Sequence, residues 1–273
     1  MNLSIAIPDS LLIDDATKID KTKKISIIAR TCAIFRVNEI FIYREGNGHK
    51  NDSKLISTLL KYLETPQFFR KKLFPKMDVL KYAGVMTPLK IPSHLVTSNI
   101  QMIQVGDIRE GLVTNYKGKK FLDIGVNQLI PYFGNTKYGT RIIIKIKTIN
   151  PKLTVKEIIK EETKKYWGYK VKERANLISI LNEWGGKIIL TSRKGKIPTK
   201  IIINQYVNYE KPILVVFGSP EKGVHQILGY NIKKIQNSHI LNFFPNQATE
   251  TVRFEEALLG TLSILNFLEL NNT

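Results

Sequence analysis

Three short runs in the last third of the chain are apolar without alternation: Lys187-Ile188-Ile189-Leu190, Pro212-Ile213-Leu214-Val215-Val216-Phe217 and Ser238-His239-Ile240-Leu241-Asn242-Phe243. A strand with one wet face alternates apolar and polar residues. A run that does not is buried on both faces, the mark of a parallel sheet covered by helices. Each run stops in turn-forming residues: Thr191-Ser192-Arg193-Lys194-Gly195, Gly218-Ser219-Pro220-Glu221-Lys222-Gly223, and Phe244-Pro245-Asn246-Gln247-Ala248-Thr249. Ligands of open α/β sheets bind beyond the carboxyl ends of the strands. Small residues there let the main chain approach a ligand closely.

The N-terminal part has the same texture. Leu3–Ile7 reads as a strand ended by Pro8, and Ile25, Ile28, Ala29, Cys32 and Phe35 recur at helical spacing. A strand at Glu39–Tyr43 closes on the turn signal Gly46-Asn47-Gly48, and a helix runs from about Asp52 to Glu64, before Pro66. Past Tyr82-Ala83-Gly84 the texture changes. Pro88 and Pro92 mark a linker, and Val105–Val113, Lys119–Val126 and Arg141–Lys147 have strand character. We therefore expect an α/β domain from residues 1–85 plus 160–273, with an inserted all-β module at 86–159. A five-stranded barrel of the oligonucleotide-binding (OB) type fits that module. Glu173–Trp184 reads as a helix stopped by Gly185-Gly186, and a last helix carries Phe254, Leu258, Thr261, Leu262, Leu265 and Leu268 on one stripe.

Charge narrows the function classes. Forty-two Lys and Arg against 23 Asp and Glu give +19 over 273 residues, which favours a polyanionic partner, RNA or DNA. No apolar run approaches the roughly 18 residues needed to cross a bilayer. The N-terminal segment lacks a basic leader, and a single Cys32 permits no internal disulfide and no thiolate metal site, so an intracellular, cytoplasmic location and no membrane are expected. His49, His94, His225 and His239 show no metal-ligand spacing, and no metal is expected. His225 and His239 read as polar positions of a helix or strand rather than as bases. The Gly218–Gly223 loop has half of a phosphate-binding loop, but Val224-His225 stands where Lys-Ser/Thr should follow, which disfavours nucleotide hydrolysis.

Phe217–Gly223 together with Leu241–Ala257 resembles the C-terminal signature of the SPOUT RNA methyltransferases, the trefoil-knot class. Thr65-Pro66-Gln67-Phe68-Phe69-Arg70-Lys71-Lys72-Leu73-Phe74 and Tyr166-Trp167-Gly168-Tyr169-Lys170-Val171 resemble the archaeal and eukaryotic branch that carries an inserted OB-like barrel. The resemblance implies a knotted α/β fold, the knot lying within about 186–270, and S-adenosyl-L-methionine as cofactor. Thr191, Ser192 and Arg193 would form the first cofactor loop, Gly218, Glu221 and Gly223 the second, and Asn242, Phe243, Gln247, Ala248 and Thr249 the third. It also implies a homodimer, each site completed by the partner chain. The long last helix suits such an interface, and a buried core helix would look the same.

In-line methyl transfer needs alignment and the management of one proton. By position the candidates are Arg193, Arg253 and Glu256, with Arg30 from the partner chain. Glu255 and Glu256 also fit the plain role of acidic residues in a first helical turn. For RNA, Arg141–Arg174 holds eleven Lys/Arg and four Asp/Glu, with Tyr166, Trp167 and Tyr169 interleaved. Lys164, Lys165, Trp167 and Lys170 are candidates there, Arg70, Lys71 and Lys72 form a second cluster, and Arg109, Lys119 and Lys120 a third on the β-rich insert. The leading expectation is an RNA methyltransferase acting on ribosomal RNA, or alternatively on tRNA, at a base such as uridine N3 or at a ribose 2′-hydroxyl. A non-catalytic RNA-binding or ribosome-assembly protein and a nucleotide-dependent enzyme are the competing readings.

Overall fold

The computed structural model describes residues 1–46, 48–94, 99–207 and 209–270, which leaves Asn47 of the Gly46-Asn47-Gly48 turn outside the described residues. In chain order the elements begin β1 (Leu3–Pro8), α1 (Lys18–Ile34), β2 (Glu39–Tyr43), α2 (Lys50–Glu64) and α3 (Gln67–Leu73). Next come β3 (Ile108–Tyr116), β4 (Lys119–Asp123), β5 (Ile130–Pro131), β6 (Arg141–Thr148), β7 (Thr154–Ile158) and β8 (Lys170–Arg174). The chain continues through α4 (Leu177–Glu183), β9 (Lys187–Lys196), α5 (Lys200–Val207), β10 (Ile213–Val216), α6 (Val224–Leu228), β11 (Ser238–Leu241) and α7 (Phe254–Leu270). It divides into two compact units: Met1–Leu63 with Asp78–Pro88 and Tyr169–Thr273, and Glu64–Met77 with Leu89–Gly168.

The first unit is α/β. Its sheet has the order β11-β9-β10-β1-β2-β8, and every neighbouring pair is parallel. The unalternating sequence runs require this, because both faces are covered. Ala6, Phe41, Tyr43, Ile188, Leu190, Leu214 and Val216 pack on Leu177, Ile180 and Leu181 of α4 and on Val224 and Leu228 of α6. The intervening residues, Ile5, Ile7, Ile40, Ile42, Ile189 and Val215, are equally buried and point to the opposite face. Each such side chain contributes roughly 1.5–3 kcal/mol by leaving water. The helix read over Glu173–Trp184 is shorter, because Lys170–Arg174 is the strand at the sheet edge; its Lys-Val-Lys-Glu-Arg sequence is the charged pattern that protects such edges. α7 packs on α1 and α5, with Phe254, Leu258, Thr261, Leu262 and Leu265 buried.

The second unit is a nearly closed antiparallel sheet of order β5-β4-β3-β6-β7. Its two edge strands approach each other, and the Tyr132 hydroxyl donates to Glu157 Oε2 at 2.7 Å. Val113, Leu122, Ile124, Ile130, Ile142, Ile144 and Ile146 fill the interior. This unit takes in Glu64–Met77 and runs to Gly168, beyond the limits of 86 and 159 read from sequence. Side chains explain the difference. Arg141 grips Glu64 through Nη1 at 2.7 Å and Nη2 at 3.2 Å, and its Nε donates to Glu110 at 3.0 Å. Trp167 Nε1 donates to the other Glu110 oxygen at 2.6 Å, and Lys72 pairs with Asp123.

His94 Nε2 lies 2.7 Å from the Glu64 carbonyl, an acceptor, so the ring donates there. Burial, with Arg70 and Arg141 nearby, pushes its pKa down to about 4. Between pH 6.5 and about 4 the unfolded chain therefore binds a proton that the folded ring does not. The stability this group contributes is complete above pH 6.5 and is lost as pH falls through that window, by at most about 1.4 kcal/mol per pH unit. Denaturant unfolding of wild type and His94→Gln should diverge at neutral pH and converge toward about pH 4; parallel pH profiles would contradict this.

Candidate functional site

β9, β10 and β11 lie side by side and end at the same edge of the sheet. Beyond them is a cavity of about 510 Å³, within the range of small-molecule sites. Its wall includes Thr191, Ser192 and Arg193 of β9, Gly218, Glu221 and Gly223 after β10, Asn242, Phe243 and Gln247 after β11, and Arg253 before α7. Asp14, His225, Phe244 and Val252 complete it in places where the sequence reading put no site residue.

The first wall is not a loop. β9 continues through Thr191–Lys196, and its pairing with β11 shifts register between Ile240 and Leu241, where Lys196 meets Leu241. Gly195 makes the close passage feasible: a Cβ there would lie 2.6 Å from the Leu241 carbonyl carbon and 2.8 Å from that of Ile240, both main chain. Asn242 ties the first and third walls, its Nδ2 donating to the Arg193 carbonyl at 3.0 Å and its Oδ1 accepting from Phe244 N at 2.9 Å.

The second wall is a tight loop. Ser219 N donates to the Lys222 carbonyl at 2.8 Å, and Lys222 N to Ser219 Oγ at 3.0 Å. A Cβ on Gly218 would stand 2.8 Å from the Lys222 carbonyl oxygen and 3.0 Å from Gly223 Cα. The buried Tyr43 hydroxyl anchors the start of the loop by donating to the Phe217 carbonyl at 2.7 Å. Gly223 differs: nothing lies within 4 Å of its Cβ direction, so it leaves open space.

Not every sequence candidate reaches the cavity. Ala248 and Thr249 are outside its wall; the Thr249 carbonyl instead accepts from Gln247 Nε2 at 2.9 Å. Glu256 accepts from Arg253 N at 2.9 Å, capping α7, and Glu255 stands 3.7 Å from the buried Lys24 ammonium, so both fit the structural role of a first helical turn. Arg30, on α1, donates to the Pro88 carbonyl at 2.6 Å and is not on this wall. Arg193 is, with one guanidinium N–H on the Glu250 carbonyl at 2.8 Å.

The two histidines part company. His239 Nδ1 meets the Tyr206 hydroxyl at 2.7 Å; burial and then Lys187 and Lys196 hold its pKa below the usual range. His225 lines the cavity, and its buried Nε2 has no hydrogen-bond partner among the described residues. Such an atom costs about 1–3 kcal/mol unless a ligand satisfies it. Only its position after Gly223 could have flagged it, because a histidine in a short helix has no distinctive spacing.

Among the RNA candidates, Lys71, Lys119, Lys164, Lys165 and Lys170 are exposed, and Arg70 and Lys120 are half-buried. Lys72 is exposed at the residue level and paired to Asp123. Arg109, 9% exposed, and Trp167, 5% exposed, are interior residues, contrary to the surface role expected of them; burial lowers the Arg109 pKa. Among the described residues no helix is long and apolar enough to cross a membrane.

Comparison with known proteins places these features. A protein of Halobacterium salinarum described as uncharacterized is 28% identical over 292 residues, covering 98% of this chain and all of the relative. The human "28S rRNA (uridine-N(3))-methyltransferase" is 26% identical over 298 residues, 96% of this chain and 77% of the relative. The Drosophila melanogaster protein of the same name is 26% identical over 304 residues, covering 96% and 61%. The family described as "Putative RNA methyltransferase" matches residues 2–265, a span that takes in both units and all three walls of the cavity. With nearly its whole length inside that match, the chain belongs to this RNA methyltransferase family.

Proposed function

We propose that the protein methylates ribosomal RNA at a base, uridine N3, with S-adenosyl-L-methionine as donor. The observation that carries the reading is the cavity at three neighbouring strand ends, about 510 Å³ and bounded by close-packed main chain. The names of the human and fly relatives support the RNA class and the atom. The residues fit the donor in one respect: the loop that starts at Gly218 is packed main chain against main chain, while Gly223, on the same wall, leaves open space for a ligand. Thr191, Ser192, Gly218, Glu221, Gly223, Asn242, Phe243 and Gln247 would hold it, with Ala248 and Thr249 shaping the last loop. The same reading includes a trefoil knot within about 186–270, an OB-type barrel in the second unit, an intracellular location and a homodimer. Ile27 and Ile34 on α1, and Leu259 and Phe267 on α7, are exposed apolar residues suited to a second copy of the chain. Arg30 of that copy would complete the site.

When bound, S-adenosyl-L-methionine supplies a methyl group on a sulfonium, so the leaving group is already activated. The chain has to orient the uracil and handle the proton that leaves N3 as the new N–C bond forms and the C–S pair stays on sulfur. Arg193 and Arg253, on the cavity wall, favour the negative charge that develops on the ring. His225 is placed to take the proton. Replacing His225 by Ala should lower single-turnover methyl transfer about a hundredfold. Cofactor affinity should change less than about threefold; an unaltered rate would remove His225 from the chemistry.

Calorimetric titration with S-adenosylhomocysteine tests the cofactor assignment. Saturable heat is expected, and none at millimolar ligand would refute it. Cofactor and RNA binding without transfer would instead favour a non-catalytic RNA-binding protein.

A further inference from the structure

We propose that one face of the antiparallel sheet in the second unit stacks the unpaired bases of single-stranded RNA on Tyr116, Phe121 and Phe133. The inference rests on the RNA-methyltransferase reading and specifies the form of RNA that the enzyme takes.

The pleat sorts the side chains. Val113, Leu122 and Ile130 point into the core of the unit, and Tyr132 packs against the same cluster. Their neighbours point outward: Thr114 opposite Phe121, Tyr116 opposite Lys119, and Pro131 opposite Phe121. Continuing the alternation past Tyr132 brings out Phe133, which is 94% exposed. The Tyr116 and Phe121 rings meet edge to face, centroids 5.8 Å apart at 87°. One end of this face is covered, since Glu110 engages Arg141 and Trp167, and Asp123 engages Lys72. The hairpin end, with Tyr116 about half exposed, is bare.

Charge identifies the occupant. From Thr114 to Lys147 there are seven Lys and Arg, of which Arg141 is held by Glu64 and Glu110, and a single acidic residue, Asp123, which is paired with Lys72. The Lys117 ammonium, at the bare hairpin end, lies 5.5 Å from the Tyr116 ring centroid, and Lys119 stands opposite Tyr116 on the same face. Rings that accept bases, with cations beside them for phosphates, are what a single strand requires. A duplex keeps its bases stacked on one another and is read through backbone and shape. A protein partner would favour a patch depleted of Lys at its centre.

Fluorescence anisotropy with a labelled single-stranded oligouridylate, and with a duplex of the same length, tests this in the full-length protein. Phe133→Ala and Tyr116→Ala should each weaken single-strand binding about tenfold with an unchanged salt slope, and alter duplex binding less than threefold. Lys117→Ala with Lys119→Ala should flatten the salt slope by about 1.4. Unchanged single-strand affinity in both aromatic variants, or equal losses for duplex, would overturn the proposal, as would a change confined to sedimentation, which marks self-contact. S-adenosylhomocysteine titration of the same variants should match wild type and so report an intact first unit. A wild-type protein that binds single strands through these rings but transfers no methyl group would sink the enzymatic reading and leave the stacking face standing.

Discussion

Gly218→Val is expected to weaken S-adenosylhomocysteine binding by about a hundredfold, roughly 2.7 kcal/mol. The sequence alone suggests that the new side chain would fill ligand space. The geometry gives a different cause: the first added carbon would stand 2.8 Å from the Lys222 carbonyl oxygen, 3.0 Å from Gly223 Cα and 3.1 Å from Val224 N. All three are main chain and cannot swing aside as a flexible side-chain tip would. The Gly218–Gly223 loop must open, which breaks the Ser219–Lys222 hydrogen bonds that set its shape. Gly223→Ala is the contrast, because its Cβ would enter open space. Calorimetry on the two variants checks the argument; loss in Gly223→Ala with retention in Gly218→Val would reverse it.

Arg141→Ala is expected to destabilise the second unit by about 3 kcal/mol. Arg141 hydrogen-bonds to both Glu64 and Glu110 and engages them in a fork that Lys cannot reproduce. Burial raises the Glu64 pKa despite the guanidinium, so deleting that guanidinium leaves two carboxylates facing each other in a poorly hydrated site. Removing one partner of a buried pair costs about 3–5 kcal/mol, and the side chain's partial exposure argues for the lower end. Denaturant unfolding followed through Trp167, whose indole donates to Glu110, reads this unit when Trp184 of the first unit is replaced by Phe in both proteins. A loss below about 1 kcal/mol would show that the network is dispensable.

How much of this was legible in the sequence depended on whether local pattern or tertiary context decides each element. The runs at Ile188–Leu190 and Ile213–Phe217 announced buried parallel strands, whereas Ser238–Leu241, read the same way, is a parallel strand at the sheet edge in which Leu241 alone is fully buried. Glu173 and Arg174 were read as the start of a helix and instead end the edge strand Lys170–Arg174, whose solvated, charged residues carry no strand pattern. Thr191–Arg193 resembled a turn because its residues are small and polar. It is a continued strand, permitted by Gly195 against the main chain of Ile240 and Leu241. Trp167 and Arg109 sit in basic stretches and so resembled RNA contacts. Their burial comes from partners distant in sequence, such as Glu110 for Trp167, and no local pattern carries that information. For the site itself, the loop residues were readable as small residues at strand ends. His225 acquires meaning only when three segments far apart in sequence close around it.

The most direct test is transfer of labelled methyl from S-adenosyl-L-methionine to purified ribosomal RNA, followed by nucleoside analysis, with Gly218→Val run in parallel. The account predicts label in 3-methyluridine for the wild type and a near-complete loss in the variant. Absence of label from RNA with the cofactor bound, or equal labelling by both proteins, would contradict it.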